Sequence, residues 1–210
     1  MRGETAGRRS GLLLSATLLA MASGAFAAQK EVKCAGAAPL IELIGADESS
    51  PLVAAVAKSD LKAIDRLLPR SSSTPEDVLI LASATGKLAV VARFLKKGVS
   101  VDAQNAAGRT SLEGSVVYGC AGITKVLLEA GANPNLRNHD RVTPLFYSVT
   151  QDDIAATKML LEHGADASAS FDGVSVRTLA GHTRDAELVQ LIEQAIRASN
   201  ASAPSGTAPN

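Results

Sequence analysis

The hydrophobic residues of the 210-residue chain fall into short groups at helical spacing, and polar turns separate the groups. These groups are Ile64, Leu67 and Leu68; Val91, Phe94 and Leu95; Ile123, Leu127 and Leu128; and Leu160 and Leu161. Apolar residues three or four positions apart form one face of an α-helix. Small residues precede each group, at Ala55, Ala82, Ser115 and Ser148, and would let another helix lie close. The pattern predicts pairs of short helices, each second helix carrying an apolar face.

The groups recur with a fixed period. Thr110-Ser111-Leu112 returns 33 residues later as Thr143-Pro144-Leu145. Glycine returns at the same interval, at positions 98, 131 and 164, where a helix C-terminus needs a left-handed residue. Several independent positions keep one register, which is typical of stacked repeats that share a continuous apolar core.

The clearest copy of the unit begins Thr143-Pro144-Leu145-Phe146-Tyr147-Ser148-Val149 and ends His163-Gly164-Ala165-Asp166. This unit resembles the ankyrin repeat, and the resemblance covers about residues 50–197. It implies an all-α ankyrin-repeat solenoid of four to five helix-turn-helix repeats with short hairpin-like fingers. The repeats are expected near residues 50–74, 75–109, 110–142, 143–174 and 175–197. The last of them has a more polar outer face and is interpreted as a C-terminal cap.

The chain departs from the family motif at two kinds of position. The family's histidine after Thr-Pro-Leu is replaced by Val53, Glu113 and Phe146. Arg141 stands at the finger position that Gly108 and Gly173 occupy in other repeats. A non-glycine at a positive φ costs about 1 kcal/mol, so a rearranged finger is expected there.

The N-terminal segment has the three parts of a secretory signal peptide. Arginines at positions 2, 8 and 9 precede the apolar run Leu12–Ala22, and Ala25-Phe26-Ala27 matches a signal peptidase site. Residues 1–27 are therefore predicted to be a cleaved signal peptide. The alternative is an uncleaved anchor, but the dense apolar run is too short to span about 30 Å of hydrocarbon.

The segments that flank the repeats carry weaker signals. Residues 28–49 are interpreted as an N-terminal cap segment, with a short helix at Leu40–Ile44. Residues 198–210 are rich in Ser, Ala, Pro and Asn and lack periodicity, which predicts a disordered tail.

Composition and charge narrow the classes of function. Removing residues 1–27 takes three Arg and one Glu from the 21 basic and 21 acidic residues, leaving 18 and 20. With no positive excess and only 3% aromatic residues, nucleic-acid binding is not expected. Export without a second apolar segment favours a soluble protein of a bacterial periplasm that does not insert into the membrane, expected to be a monomer.

Two cysteines, Cys34 and Cys120, would enter that oxidising compartment. A disulfide between them would close a loop of about 85 residues and stabilise the fold by about 4 kcal/mol through the unfolded state. The alternative is a pair of unbonded, mostly buried thiols.

The chain lacks a recognisable catalytic constellation. His139, His163 and His182 are scattered, without the spacing of metal ligands. Asp152-Asp153 falls at the start of a second helix, where a carboxylate caps backbone amides. No phosphate-binding loop or nucleophile elbow is present in the sequence, so neither an enzyme nor a metal or cofactor is expected.

The resemblance implies that the chain binds another protein through the concave face and finger tips. Carried onto this sequence, the partner-binding positions are Lys58, Thr85, Val117, Tyr118, Thr150 and Gln151 on the first helices, and Arg109, His139, Asp140, Phe171 and Asp172 on the fingers. Tyr118, Arg109, His139 and Phe171 are the expected anchors, because aromatic residues and Arg are enriched at hot spots. The alternative for Tyr118 and Phe171 is local packing between repeats.

The expected function is a non-enzymatic protein-interaction module. A different hypothesis is an immunity protein or inhibitor that neutralises a secreted effector or an envelope enzyme. The sequence does not identify the partner.

Overall fold

A computed structural model describes residues 34, 50–183 and 185–202 of the chain. The predicted signal peptide (1–27), the cap segment apart from Cys34, including Leu40–Ile44, and residues 203–210 of the predicted tail lie outside the described residues. Within the described residues, the fold is the predicted all-α stack of helix pairs.

The described residues form ten α-helices, one 3-10 turn and one small hairpin. In chain order these are α1 (Pro51–Ala57), α2 (Leu61–Leu67), the 3-10 turn Leu68–Arg70, α3 (Pro75–Ala84), α4 (Leu88–Lys96), α5 (Ser111–Val117), α6 (Ala121–Glu129), α7 (Pro144–Thr150), α8 (Ile154–Glu162), β1 (Ser170–Phe171), β2 (Val174–Ser175), α9 (Val176–Ala180) and α10 (Ala186–Ser202).

The helices pack in two rows. Each pair, from α1 with α2 to α9 with α10, forms one repeat, and the first helices α1, α3, α5, α7 and α9 each contact the next along the stack. The second helices α6, α8 and α10 also contact one another in order. Each repeat therefore buries its apolar faces against its neighbours, as a solenoid requires.

Four of the five first helices begin at side-chain caps, and the exception is α1, where Ser50 makes no such bond. The hydroxyls of Thr74, Thr110, Thr143 and Ser175 each accept a hydrogen bond from the amide three residues later. Asp153 caps α8 in the same way, through the amide of Ala156. These bonds satisfy backbone donors that have no partner within the helix, and so fix where each helix starts.

Arg141 does not rearrange its finger, contrary to the expectation from the sequence. Its φ of 67° falls in the same left-handed region as the 71° of Gly108 and the 76° of Gly173. The backbone of the finger that contains Arg141 thus follows those that contain Gly108 and Gly173, because the surrounding contacts outweigh a local cost of about 1 kcal/mol.

The predicted apolar groups supply the core. Ile64, Phe94, Ile123, Leu127 and Leu160 are all at most 1% exposed. Val91 and Leu128 are buried as well, and the remaining members, Leu67, Leu68, Leu95 and Leu161, are partly buried against the same core. The core therefore lies between the two rows of helices.

One boundary differs from the sequence interpretation. Helix α10 continues to Ser202, although the disordered tail was expected to begin at residue 198. The segment from Ala198 to Ser202 contains neither Gly nor Pro, and the next proline is Pro204, so no strong helix breaker stops the helix earlier. The last finger forms a true two-stranded hairpin, in which Phe171 pairs with Val174.

No helix among the described residues is long and apolar enough to cross a membrane.

Candidate protein-binding surface

We name the fingers by their residues: the second finger is 99–109, the third is 132–142 and the fourth is 165–174. Gln104 and Arg137, at equivalent positions of the second and third fingers, each tie their finger to the next. The Gln104 amide donates to the carbonyl of Gly108 at 2.7 Å and to the carbonyl of Arg137, in the third finger, at 3.0 Å. Arg137 repeats this arrangement 33 residues later, because its Nη1 donates to the carbonyls of Arg141 and Ser170, both at 3.2 Å.

A second set of bonds links the finger bases. The Asp102 carboxylate accepts from the amide of Asn133 at 2.8 Å, and the Asn135 side chain accepts from the amide of Asp166 at 2.8 Å. Asn135 also donates to the carbonyl of Gly164 at 2.9 Å. With two side-chain bonds between successive fingers, their tips are held in a fixed row.

The predicted finger residues His139 and Asp140 lie exposed at the tip of the third finger. The amide of His139 donates to the carbonyl of Ala107 at 3.2 Å. The imidazole lies so close to Gly108 that a Cβ there would be 2.5 Å from its Cδ2 and 2.8 Å from the backbone nitrogen. Only glycine fits at this contact between the second and third fingers.

Beneath the third finger, a buried carboxyl group forms a polar network. Glu113 is 3% exposed, and its Oε1 accepts a hydrogen bond from the Asn138 amide at 2.9 Å. The same amide donates to the Tyr147 hydroxyl at 3.1 Å, and the Arg109 Nε lies 3.9 Å from the Glu113 carboxyl. The predicted site residue Arg109 thus reaches inward to this carboxyl.

Burial dominates the titration of this network. It raises the pKa of Glu113 to about 7, although the Asn138 bond and the Arg109 charge oppose the rise. The pKa of Tyr147 is also raised, first by burial and then by the negative charge of Glu113. A carboxyl group that titrates near neutrality therefore joins the third repeat to the fourth.

An open cleft of about 450 Å³ lies between the tips of the third and fourth fingers. Its lining residues are Arg137, Arg141, Ser170, Phe171, Asp172 and Gly173. The predicted residues Phe171 and Asp172 therefore face the same space as two arginines. The Phe171 ring packs edge-on against Phe146, with centroids 5.5 Å apart. Local packing thus fixes the Phe171 ring at one wall of the cleft.

The predicted positions on the first helices lie where those helices end. Lys58, Thr85, Tyr118 and Gln151 are the C-caps of α1, α3, α5 and α7. Val117 and Thr150 are the last residues of α5 and α7. Gln151 donates to the carbonyl of Val117 at 3.0 Å, which bridges two of these ends. Tyr118 is half-buried against Ile80 and Ala84, so this ring also packs locally.

The two cysteines form a disulfide, so the structure has the first of the two alternatives. Their Cα atoms are 4.2 Å apart, and the bond joins positions 86 residues apart in sequence. Cys120 is the fully buried N-cap residue of α6, in the middle of the stack. The bond therefore attaches the segment before the first repeat to the third repeat.

The histidines do not come together. His163 and His182 each place Nδ1 within hydrogen-bond distance of a carbonyl on the preceding helical turn, at 2.8 and 2.7 Å. In the part of the chain that the structure describes, no three His, Cys, Asp or Glu residues form a group that could hold a metal ion.

The sequence analysis assigned no functional role to three residues of this region, Arg137, Arg141 and the buried Glu113. Arg137 and Arg141 had a usable signal, since they replace Gln104 and Gly108 of the preceding repeat. Glu113 had one too, because a charged residue replaces the usual histidine at a helix start. The sequence does not show which residues of the next repeat these three side chains lie close to.

A sequence model of a known family matches most of the described chain. The model describes ankyrin repeats, and its matches cover residues 52–138 and 79–171. Among curated proteins, an ankyrin repeat domain-containing protein of Stachybotrys chartarum is 26% identical over 149 residues, 70% of this chain and 8% of that protein. An ankyrin repeat-containing protein of Schizosaccharomyces pombe is 37% identical over 76 residues, 36% of each chain.

A third relative is the ankyrin repeat and LEM domain-containing protein 1 homolog of Caenorhabditis elegans. It is 48% identical over 42 residues, 20% of this chain and 6% of that protein. The chain therefore spans at most 36% of the length of these three relatives. The similarity lies in the repeats themselves.

Proposed function

The chain belongs to the ankyrin-repeat family, and on that premise we propose that it is a periplasmic protein-binding module whose finger tips and first-helix ends hold a protein partner. Repeats of this family are interaction domains and typically do not catalyse reactions. The observation that supports the location of the surface is the fixed row of fingers. Their backbones are tied together by side chains, while polar groups at their tips remain exposed.

A pre-organised row suits binding. His139, Asp140, Arg141 and Asp172 are all exposed at finger tips, and the hydrogen bonds between fingers already hold their backbone. Binding of a partner would then immobilise few additional parts of the finger backbone, which reduces the entropic cost of association. The mixture of charge and amide groups also suits a polar interface.

Two observations support the compartment. The N-terminal sequence has the order and length of a secretory signal, and Cys34 is bonded to Cys120. Structural disulfides form and persist in oxidising compartments such as the bacterial periplasm. Both observations favour export before the repeat domain acts.

Binding is tested by comparative capture from an envelope fraction. The immobilised chain, a His139→Ala/Asp140→Ala variant and a Lys158→Ala control are incubated with the fraction, and retained proteins are quantified by mass spectrometry. Lys158 is exposed on the second-helix row, away from the fingers. We expect a protein that the chain and the control retain and that the finger variant retains about ten-fold less, as loss of an interface hot spot would give.

Equal retention by all three proteins would place binding elsewhere, and absence of any selectively retained protein would contradict the proposal. If the retained protein is a secreted enzyme that the chain inhibits, the module acts as an immunity protein or inhibitor.

The compartment is tested by expressing the full chain in a bacterium and fractionating the cells. We expect the product in the periplasm with Ala28 as its N-terminal residue and with no thiol that a denatured sample exposes to alkylation. A cytoplasmic product that keeps residues 1–27 would exclude this location.

A further inference from the structure

Two residues that line the cleft between the third and fourth finger tips differ from their equivalents one repeat earlier. In the second finger, the equivalent positions carry Gln104 and Gly108, neither of which is charged. Here the same two positions carry Arg137 and Arg141. The third finger therefore carries two guanidinium groups at positions where the second finger carries none.

The Arg141 side chain is available to a ligand. It is exposed, and among the described residues no hydrogen bond or ion pair engages its guanidinium group. Its backbone occupies a left-handed conformation with φ of 67°, which glycine adopts in the other two fingers at less cost. The structure thus carries an unfavourable residue at a position where its charge has no partner within the described fold.

Arg137 is fixed but only partly used. Its Nη1 donates to the carbonyls of Arg141 and Ser170, which holds the side chain across the floor between the two fingers. Gln104 makes the same pair of bonds with a neutral amide. Tying the fingers together therefore does not require a guanidinium group, and the remaining N–H groups of Arg137 add positive charge to the cleft.

The other residues that line the cleft suit an acidic side chain that belongs to a peptide. The Phe171 ring, held by Phe146, forms an apolar wall. Asp172 contributes one carboxylate, so two arginines and one aspartate leave one net positive charge. The cleft volume of about 450 Å³ is larger than a small inorganic anion fills.

We propose that this cleft binds a glutamate or aspartate side chain within an acidic segment of the protein partner, with Arg141 and Arg137 as donors and Phe171 against the aliphatic part. This inference rests on the proposed function and specifies the chemistry of its partner. Guanidinium groups match the planar carboxylate and bind it through paired N–H donors. The fixed position of Arg137 limits the ordering that binding requires.

The test uses a tripeptide probe and the purified chain labelled with ¹⁵N. Acetyl-Glu-Glu-Glu-amide is titrated while backbone amide signals are followed by NMR, and acetyl-Gln-Gln-Gln-amide serves as the neutral control. We expect saturable shifts at residues 137, 141 and 171 with the acidic peptide and none with the control. Signals of Gln104 and Gly108, at the equivalent positions of the second finger, should not move.

Two variants that suit the local backbone are expected to change the affinity for the acidic peptide in opposite directions. Arg141→Gly places glycine where φ is positive, so it removes the charge without straining the finger, and we expect at least ten-fold weaker binding. Asp172→Asn keeps a residue that tolerates its φ of 48° and removes the competing carboxylate, so we expect about three-fold tighter binding. Unchanged circular dichroism and melting temperatures would show that both variants fold.

Several outcomes overturn the proposal. These are equal shifts with both peptides, unchanged affinity in Arg141→Gly, and saturation of the cleft by inorganic phosphate but not by the acidic peptide. The result is separable from the capture experiment. Peptide binding without a captured partner would contradict the proposed function alone, and a captured partner without peptide binding would contradict the cleft alone.

Discussion

Single substitutions within the repeat pattern account for the chemistry that distinguishes the third repeat. Glu113 occupies the position of Ile80 and Phe146 in the neighbouring repeats, each 33 residues away. Exchange of an apolar residue for a carboxyl group, buried beside Asn138, converts a packing position into a titrating one. The sequence identified the departure at Glu113, but not the partners in the next repeat that bury it.

Stability should fall as pH rises through neutrality. Because the pKa of Glu113 is about 7 in the fold and near 4.5 when unfolded, the folded state holds more protons between these values. The free energy of unfolding is then expected to decrease by at most about 3 kcal/mol from pH 4.5 to pH 8. Glu113→Gln, which keeps an acceptor for Asn138, should flatten this part of the profile. Urea denaturation of both proteins at pH 5, 6, 7 and 8 measures it, and parallel profiles would refute the assignment.

Ser111 offers a second prediction at this scale. It is the first residue of α5, where α7 has Pro144, and its Oγ is buried without a hydrogen-bond partner in the described fold. The preceding Thr110 has φ of −106° and ψ of 164°, which a following proline accepts. Ser111→Pro should therefore stabilise the fold by about 1 kcal/mol. Ser111→Ala separates loss of the hydroxyl from the proline effect, and a lower urea midpoint for the proline variant would contradict the expectation.

At the scale of helices and fingers, regular spacing determined what could be predicted. The helix pairs followed from the apolar spacing and the 33-residue period, because local residues decide which face a helix buries. The cleft could not be predicted in this way. It depends on two fingers meeting through bonds such as that from Arg137 to Ser170, and these contacts join residues a whole repeat apart.

Because the second and third fingers are in close contact, replacement of Gly108 by alanine should destabilise the fold far more than replacement of Gly98. Both have positive φ, but a Cβ at Gly98 would meet nothing within 4 Å, while one at Gly108 would meet the backbone and ring of His139. Gly98→Ala should cost about 1 kcal/mol, the conformational term alone. Gly108→Ala should cost about 3 kcal/mol, because the third finger must also move. Urea midpoints compare the two, and equal losses would show that the finger contact contributes nothing.

At the scale of the whole molecule, the disulfide is the one described covalent bond between distant parts of the chain. The sequence left it open, because two cysteines 86 residues apart can be bonded only if the fold brings them together. The stack does so by placing Cys120 at an inter-helix turn of the third repeat.

Reduction should destabilise the protein by about 4 kcal/mol, because the bond closes a long loop in the unfolded chain. Cys34→Ser removes the bond and leaves the buried Cys120 side chain in place, so it should lower the urea midpoint as dithiothreitol does for the unmodified chain. Dithiothreitol should not affect the variant further. A midpoint insensitive to both treatments would contradict this contribution.

The same bond changes how the stack carries mechanical load. Tension applied between Cys34 and the C-terminal helix passes through the sulfur atoms directly into the third repeat. The first two repeats lie inside the closed loop and bear none of it. A pulling or translocating machine that engages the N-terminal segment would therefore stretch only the later repeats until the bond is reduced.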